Sequence, residues 1–429
     1  MRKIAIILFI LGQLSLGAQT KPTLYIGADI YTAANQVIVN GAMSVKEGRI
    51  EWVAPAANIK IDSTAFDKIV KLYGKRIYPG FIALSSTLGL TEIDAVRATL
   101  DYNETGTLNP NVRSQIAFNS ESEVIKTVRS NGVLMAQSAP RGQMVGGFSS
   151  VFHFDGWNWE DATIKKDDAL HIYWPYHRTR FHILPDDTTK YEKARTEKIK
   201  ALYQLFNDAK AYCLQPESSR EKNLKLESIC QLMQGKQSIF VYAEDQWSIR
   251  EAIQFIGHFQ FKKPVLCGVD EVLPVLPIVK NAGVKLVLGR THRLPAFNES
   301  AVDEPYRLPA LLAQEGIEFA ITNLGDMEAM GTRNLSYNAG TMITYGLSAE
   351  KALQAITIIP AKLLGIDQDY GSIEVGKWAS FIVSSGDVFD MRTSKIEAAY
   401  IQGKPIDINN KQKDLYKKFE TKYGLQHQE

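Results

Sequence analysis

The chain has three stretches with different patterns of hydrophobic and polar positions. Residues 23–78 form short alternating runs that are separated by turn residues such as Asn40-Gly41, which predicts a small antiparallel β unit. Across residues 79–364, runs typical of strands alternate with stretches of helical period, which predicts parallel βαβ units. Short alternating runs return after Leu364. We therefore predict an α/β protein in which both ends of the chain build one β domain.

The number of strand and helix repeats in the middle stretch suits a (β/α)8 TIM barrel. A doubly wound open sheet is the alternative, but no G-x-G-x-x-G motif follows the first strand of this stretch. The predicted barrel strands include 133–137, 238–242, 264–267, 285–288 and 318–322. The predicted organisation is a signal peptide at 1–18, a composite β-sandwich domain of 21–78 and 365–408, a barrel at 79–364, and a C-terminal amphipathic helix or tail at 409–429.

The C-terminal tail has the spacing of an amphipathic helix. Leu415, Tyr416, Phe419 and Tyr423 fall on one helical face, with lysines and acids opposite. We expect this face to pack against the body of the protein. A helix that binds a membrane surface or a partner is the alternative.

The first residues have a different composition from the rest. Arg2 and Lys3 precede an apolar run at 4–11, and small residues follow up to Ala18, which is the pattern of a secretory signal peptide. A retained membrane anchor is the alternative, but it needs about 20 apolar residues and this run is too short. We therefore predict an exported protein, periplasmic or secreted, that does not span a membrane.

Net charge gives no support for nucleic-acid binding, and the cysteine content leaves two interpretations open. The 429 residues carry a formal net charge of +2 and a pI near 8.2, so the whole chain has no strong field that would favour nucleic acid. An exported chain can form disulfides, and Cys213 and Cys230 could bridge the ends of a helical hairpin. Three cysteines that pack as small core residues, Cys267 included, is the simpler interpretation.

The segment YPGFIALSST at residues 78–87 resembles the first barrel strand of the metal-dependent amidohydrolases, which reads P-G-x-I-D-x-H-x-H. Further phrases follow in that family's order, and five together make chance agreement improbable. The chain is therefore identified as similar to the amidohydrolase superfamily, in its imidazolonepropionase-like branch. The phrases are VKEGRI at 45–50, GKRIYPGFI at 74–82, GLTEIDAVRAT at 89–99, GLSAEKALQAITIIPAKLLG at 346–365 and GSIEVGK at 371–377.

The resemblance implies hydrolysis of non-peptide C–N bonds, in cyclic amides or dipeptide-like molecules, by water that one or two metal ions activate at the carboxyl ends of the strands. It also implies which positions hold the metal, usually zinc. This chain carries Ser85 and Thr87 in place of the strand 1 histidine pair, Tyr242 in place of the strand 5 histidine, and Asn323 or Leu324 in place of the strand 8 aspartate. Neutral hydroxyls and amides are poor zinc ligands, so we expect no family metal centre.

Two hypotheses for function follow. The first is a non-catalytic pseudoenzyme in which Ser85, Thr87, Tyr242 and Asn323 line a polar pocket for a small polar molecule, or a partner subunit of an intact amidohydrolase relative.

The alternative is an active amidohydrolase that uses carboxylates near the predicted strand ends, namely Glu244, Asp270 or Asp326. His171, His177 and His182 could hold a metal from a loop, but their spacing fits no ligand motif and surface histidines are the simpler interpretation.

Overall fold

The computed structural model describes residues 21–34, 36–142, 144–177, 188–295 and 299–425. Its strands are β1 (Thr23–Ile30), β2 (Ile38–Lys46), β3 (Arg49–Pro55), β4 (Lys68–Lys71), β5 (Arg76–Pro79), β6 (Phe81–Ser86), β7 (Val133–Ser138), β8 (Val145–Phe148), β9 (Ser150–His153), β10 (Thr163–Lys165), β11 (Ala169–Tyr173), β12 (Ser238–Tyr242), β13 (Pro264–Cys267), β14 (Lys285–Leu288), β15 (Phe319–Ile321), β16 (Phe381–Ser384), β17 (Ile396–Ile401) and β18 (Lys404–Ile406).

Its α-helices are α1 (Ser114–Ala117), α2 (Glu123–Arg129), α3 (Trp159–Ala162), α4 (Thr188–Leu214), α5 (Leu224–Met233), α6 (Gln246–Phe259), α7 (Leu276–Ala282), α8 (Glu304–Gln314), α9 (Glu328–Gly331), α10 (Leu335–Thr344), α11 (Ala349–Gln354), α12 (Ile358–Leu364) and α13 (Lys411–Tyr423). The predicted signal peptide at 1–18 lies outside the described residues, as does His182. Over the part of the chain that the structure describes, no helix combines the length and the apolar content that crossing a membrane requires.

Strands from both ends of the chain share one sheet. Its order is β18-β17-β16-β5-β1-β2-β3, and β4 pairs with the first half of β1. The sheet curls back on itself, because Ile50 N donates to Lys377 O at 2.9 Å and Ala379 N donates to Gly48 O at 2.8 Å. Apolar side chains fill the space that this curl encloses, with the ring of Tyr25 edge-on to that of Phe381.

The middle of the chain supplies the strands and helices that carry the candidate site. β11 to β15 form a parallel sheet in sequence order, and β6 pairs with β7 in a second parallel ladder. The two parts meet where Thr322 Oγ1, just after β15, donates to Leu84 O in β6. The strands therefore bring their carboxyl ends to one end of the assembly, which is where such folds place their working groups.

The helix α6 shows how local sequence determines where a helix begins after its strand. Asp245 follows β12, and its carboxylate accepts from the backbone N–H groups of Trp247 and Ser248, which caps the helix and contributes about 1 kcal/mol. Ile249 and Ile256 then recur at helical spacing and are buried against the sheet. The cap starts the helix directly after the strand, so the end of β12 is held in place.

One segment departs from the predicted parallel pattern. β8 runs antiparallel to β11, and β9 runs antiparallel to β7, with Ser149 between them. Only residues 139–149 separate the paired strands β7 and β9, and a parallel crossover needs a dozen residues or more, so the chain returns antiparallel. This return places the buried Ser149 inside the sheet assembly, where it contacts the candidate site.

Two expectations about the periphery are wrong. Cys213 and Cys230 form a disulfide that joins α4 to α5, and only Cys267 among the three cysteines remains a buried thiol. The apolar face of α13 is not buried against the described part of the body, since its side chains are between 42% and 64% exposed. The connection between α4 and α5 explains the first result, since it folds α5 back beside the end of α4. Sequence pattern alone does not show whether an apolar face has a surface to meet.

Candidate functional site

The four residues at the substituted ligand positions lie at the carboxyl ends of their strands. Ser85 lies in β6 and Thr87 follows it, Tyr242 ends β12, and Asn323 follows β15. Ser85, Thr87 and Asn323 are almost fully buried, and Tyr242 is partly exposed. Tyr173 ends β11 directly beside Tyr242, and the two rings stack with centroids 4.3 Å apart. The barrel mouth at these positions is therefore lined by hydroxyls, phenols and an amide.

A buried carboxylate, Glu328, organises one half of this mouth. Its side chain is 1% exposed, and Oε2 accepts from Thr87 N at 2.8 Å and from Thr87 Oγ1 at 2.9 Å. The same oxygen accepts from Arg141 Nη2 at 3.1 Å. Asn323 Nδ2 donates to the backbone oxygen of Glu328 at 3.0 Å. Two of the four substituted positions are thus hydrogen-bonded to Glu328, Thr87 to its carboxylate and Asn323 to its backbone oxygen.

A chain of hydrogen bonds organises the other half. Tyr242 OH lies 2.9 Å from His171 Nδ1, His171 Nε2 lies 2.8 Å from Ser149 Oγ, and Ser149 Oγ donates to Asp168 Oδ1 at 2.7 Å. Ser149 has one proton to give, so His171 must donate from Nε2 and accept from Tyr242 at Nδ1. The chain leads from the mouth to Asp168, just before β11, at the opposite end of that strand.

Burial sets the protonation states of the side chains in this hydrogen-bond network. It lowers the pKa of His171 to about 3, so the imidazole is neutral at pH 7. It raises the pKa of Asp168 to about 6, although hydrogen bonds from Ser149 and Gln137 oppose the shift. It also raises the pKa of Tyr242 well above its ordinary value, so the phenol keeps its proton. Neutral His171 and protonated Tyr242 agree with the direction of donation that the network requires.

Ser85 is the strained member of the mouth. Its backbone has φ +52°, the left-handed region that a non-glycine residue adopts at a cost of about 1 to 2 kcal/mol. Its N–H donates to Gln137 Oε1 at 3.0 Å, but the buried hydroxyl has no hydrogen-bond partner of good geometry. The hydroxyl lies beside Tyr242 and Cys267, where it partly opposes the raised pKa that burial gives each of them. Strained residues of this kind concentrate at functional sites.

These residues do not fit the family metal. Thr87 and Asn323 are hydrogen-bonded to Glu328, and Tyr242 is bonded to His171. In the described ranges, no group of three histidine, cysteine or acidic side chains is placed to hold an ion. Zinc needs three or more nitrogen, sulfur or carboxylate ligands. The donor set at the mouth is instead one of internal hydrogen bonds.

The histidine cluster that was weighed and set aside in the sequence does not assemble from its described members. His171 is fully buried within β11, so the interpretation as a surface histidine is wrong. His177 is partly exposed, and its Nε2 lies 3.6 Å from Glu251 Oε1.

The three candidate carboxylates have different surroundings. Asp270 is almost fully buried and pairs with Arg293 Nη2 at 2.8 Å. Glu244 is half-buried and accepts from Tyr176 OH at 3.3 Å. The side chain of Asp326 is exposed. All three follow β12, β13 or β15, as predicted from their positions in the sequence.

Sequence reasoning missed the residues that organise the mouth. Glu328 was not distinguished from other loop acids, although it comes a few residues after β15, and Asp168 and Ser149 carried no motif. Arg141 follows β7 at the start of a glycine-rich loop, which is a weak signal for a functional group. The contacts of Glu328 join residues 187 and 241 positions apart, and no local pattern indicates such pairs.

Comparisons with known proteins agree with this architecture. The amidohydrolase family matches residues 245–406. A comparison with curated proteins gave no significant match. Among solved structures, an amidohydrolase from Thermotoga maritima is similar with a TM-score of 0.77 and 25% identity, over 90% of this chain and 99% of that one.

More distant structures share the fold alone. A prolidase complexed with N-methylphosphonate-L-proline has a TM-score of 0.54 and 13% identity, over 90% of this chain and 99% of that one. An adenosine deaminase from Xanthomonas campestris with bound zinc has a TM-score of 0.55 and 11% identity, over 95% and 98%. The predicted fold class, an α/β barrel with a β domain, and the predicted resemblance to the amidohydrolase superfamily are confirmed.

Proposed function

We propose that this chain, which belongs to the amidohydrolase superfamily, is a member without the family metal that acts by binding rather than by metal-dependent hydrolysis. The single observation that carries the proposal is the arrangement around Glu328. Its carboxylate accepts hydrogen bonds from Arg141 and from Thr87, which stands at a ligand position of the family by resemblance. The mouth therefore has its own internal charge pair.

Arg141 supplies a further argument against a cation at this place. Burial acts to lower the pKa of Arg141, but Glu328 and the neighbouring phenols raise it overall, so the guanidinium keeps its charge. A divalent ion bound beside it would be repelled, and a partly buried site screens that repulsion much less than water does. Protonated Tyr242 is a poor metal ligand, and both ring nitrogens of His171 are hydrogen-bonded, to Tyr242 and to Ser149.

The same groups suit a small polar ligand. The side chain of Arg141 is 32% exposed, and Tyr173 and Tyr242 are also partly exposed. A guanidinium with free edges binds a carboxylate or a similar acceptor through paired N–H groups, and phenols add directional hydrogen bonds. We therefore propose a small molecule that carries an acidic or strongly accepting group as the ligand of the mouth.

Export and partnership complete the proposal. The disulfide between Cys213 and Cys230 supports an oxidising compartment, periplasmic or extracellular, as the signal-like N-terminus predicts. Assignment to the imidazolonepropionase-like branch and a complex with an intact amidohydrolase relative stay predictions. Affinity purification of the tagged chain from its own cells, followed by mass spectrometry, tests the complex directly.

Metal content and turnover test the central claim. The chain is purified without chelators, its zinc, manganese and iron are measured by mass spectrometry, and hydrolysis of dipeptides and cyclic amides is assayed with and without added metal. We expect no stoichiometric metal and no turnover. One equivalent of tightly bound metal, whose removal abolishes hydrolysis, would refute the proposal. Turnover that needs no metal but collapses in Asp270→Asn, Glu244→Gln or Asp326→Asn would establish the carboxylate alternative instead.

Ligand binding needs a matched pair of variants. A panel of small carboxylates is screened by thermal shift against the wild type, Arg141→Lys and a surface control, Lys236→Met. Lysine keeps the charge but loses the forked geometry, so ligand stabilisation should fall sharply in Arg141→Lys and persist in the control. Equal stabilisation of all three proteins would show that the ligand binds elsewhere.

A further inference from the structure

The C-terminal helix α13 presents an apolar face that is about half exposed in the part of the chain that the structure describes. Leu415, Tyr416, Phe419 and Tyr423 are between 42% and 64% exposed. Successive helical residues are offset by about 100°, so these four lie within an arc of about 100°. Such a face is normally buried in a soluble protein. Here no residue of the helix is buried, and Leu425 beyond its end is exposed as well.

The helix is nevertheless fixed in position at its start. The side chain of Asn410 caps α13 by accepting from Lys413 N, and its amide donates to Ser130 Oγ at 2.8 Å. Thr127 Oγ1 donates to Gln412 Oε1 at 3.0 Å. The first turn is therefore tied to the body at α2, whereas the apolar side chains in the later turns remain exposed.

Positive charge is concentrated on the same helix. α13 contains five lysines and two acidic residues, a net charge of +3, whereas the entire 429-residue chain has only +2. At helical spacing Lys411, Lys418 and Lys422 follow one border of the apolar face. The ammonium of Lys422 lies 5.3 Å from the ring of Tyr423. These lysines therefore place positive charge directly beside the exposed apolar face.

We propose that α13 binds the surface of an anionic lipid bilayer, lying in the plane of the interface. The apolar face would enter the boundary between headgroups and acyl chains, and the bordering lysines would extend to the lipid phosphates. Tyrosine is favoured at this depth because its ring is apolar and its hydroxyl is wet. A second copy of the chain is a poorer occupant, since pairing two such helices brings +3 against +3.

Vesicle sedimentation tests the proposal with the full-length purified chain. We compare vesicles of phosphatidylglycerol and phosphatidylethanolamine with vesicles of phosphatidylcholine alone. Each lysine near an anionic surface contributes about fivefold in affinity, so Lys418→Glu/Lys422→Glu should weaken binding at least about 25-fold. Phe419→Ala/Tyr423→Ala should weaken it by removing buried apolar area. Lys193→Glu/Lys198→Glu on α4 is the charge-matched control and should bind as the wild type does.

Each outcome bears on the proposal. Binding to the anionic vesicles that falls with salt and is lost in both α13 variants supports it. No binding to anionic vesicles above the phosphatidylcholine level overturns it, as does binding that the α13 variants share equally with the control. A dimer that light scattering detects in the wild type and not in Phe419→Ala/Tyr423→Ala, without vesicle binding, would assign the face to a second copy instead.

Discussion

Replacing His171 or Asp168 should change the pH dependence of folding stability in opposite directions. Both side chains are buried and connected through Ser149, and burial shifts their pKa values away from those of the unfolded chain. A pKa that differs between the folded and unfolded states makes stability depend on pH. The two shifts change stability with opposite sign as pH falls, so they largely cancel in the wild type. A variant that removes one group shows the effect of the other.

For His171 the folded pKa of about 3 lies below the ordinary value of 6.5. As pH falls below 6.5, His171 becomes protonated in the unfolded chain but stays neutral in the folded one. Folding stability is therefore lost between pH 6.5 and pH 3. One pKa unit corresponds to about 1.4 kcal/mol, so the loss reaches about 3 kcal/mol at pH 4.5.

For Asp168 the folded pKa of about 6 lies above the ordinary value of 3.8. The folded carboxyl keeps its proton through this interval while the unfolded one releases it. Stability is therefore lost as pH rises from 3.8 to 6 and regained on acidification, by about 2 kcal/mol at pH 4.5 relative to pH 7. In the wild type the two effects together change the free energy of unfolding by only about 1 kcal/mol between pH 7 and pH 4.5.

Urea unfolding at pH 7 and pH 4.5 measures the difference. Relative to the wild type, His171→Gln should gain about 3 kcal/mol on acidification, and Asp168→Asn should lose about 2 kcal/mol. His258→Gln, which replaces an exposed histidine on α6, is the control and should keep the wild-type profile. The reasoning is refuted if both variants shift with the same sign, or if neither departs from the control. Comparing each variant with itself at two pH values removes any uniform loss of stability.

Two further predictions concern buried charge and the covalent bridge. Arg141→Met should lower the free energy of unfolding, measured with urea, by about 3 kcal/mol because Glu328 is left buried without its ion-pair partner. This is the low end for buried pairs, since the guanidinium is partly exposed. The double variant Arg141→Met/Glu328→Gln should recover most of the loss. Strictly additive losses in the double variant would contradict that pairing. Cys213→Ser/Cys230→Ser should lower stability by about 3 kcal/mol, as expected for closing a loop with a sequence separation of 17, and a reductant should destabilise the wild type by the same amount. No response of the wild type to reductant would contradict a disulfide in the folded protein.

Most barrel strands could be located from the sequence. The apolar runs predicted at 264–267 and 285–288 coincide with β13 and β14, because such runs bounded by turn residues have few other ways to be buried. The return of the chain as β8 and β9 was not predicted. Pattern identifies a strand but does not give its direction, which here depends on a short connection.

The substituted mouth was also predictable in part. Ser85 and Tyr242 could be assigned to strand ends because their positions follow from local spacing. The roles of Glu328 and His171 could not, because an acid that is buried and paired looks the same in sequence as one in a solvated loop.

The sequence by itself determined the kind of fold and predicted, by resemblance, which ligand positions are substituted, since periodicity and residue type are local properties. Only the tertiary structure decided that Arg141 and Glu328 pair at the barrel mouth, that His171 is neutral inside β11, and that the apolar side chains of α13 are about half exposed. Each of these depends on which distant residues meet and on how much water the fold excludes from between them. Burial and long-range contact set charge and pKa, and neither can be read from the order of residues along the chain.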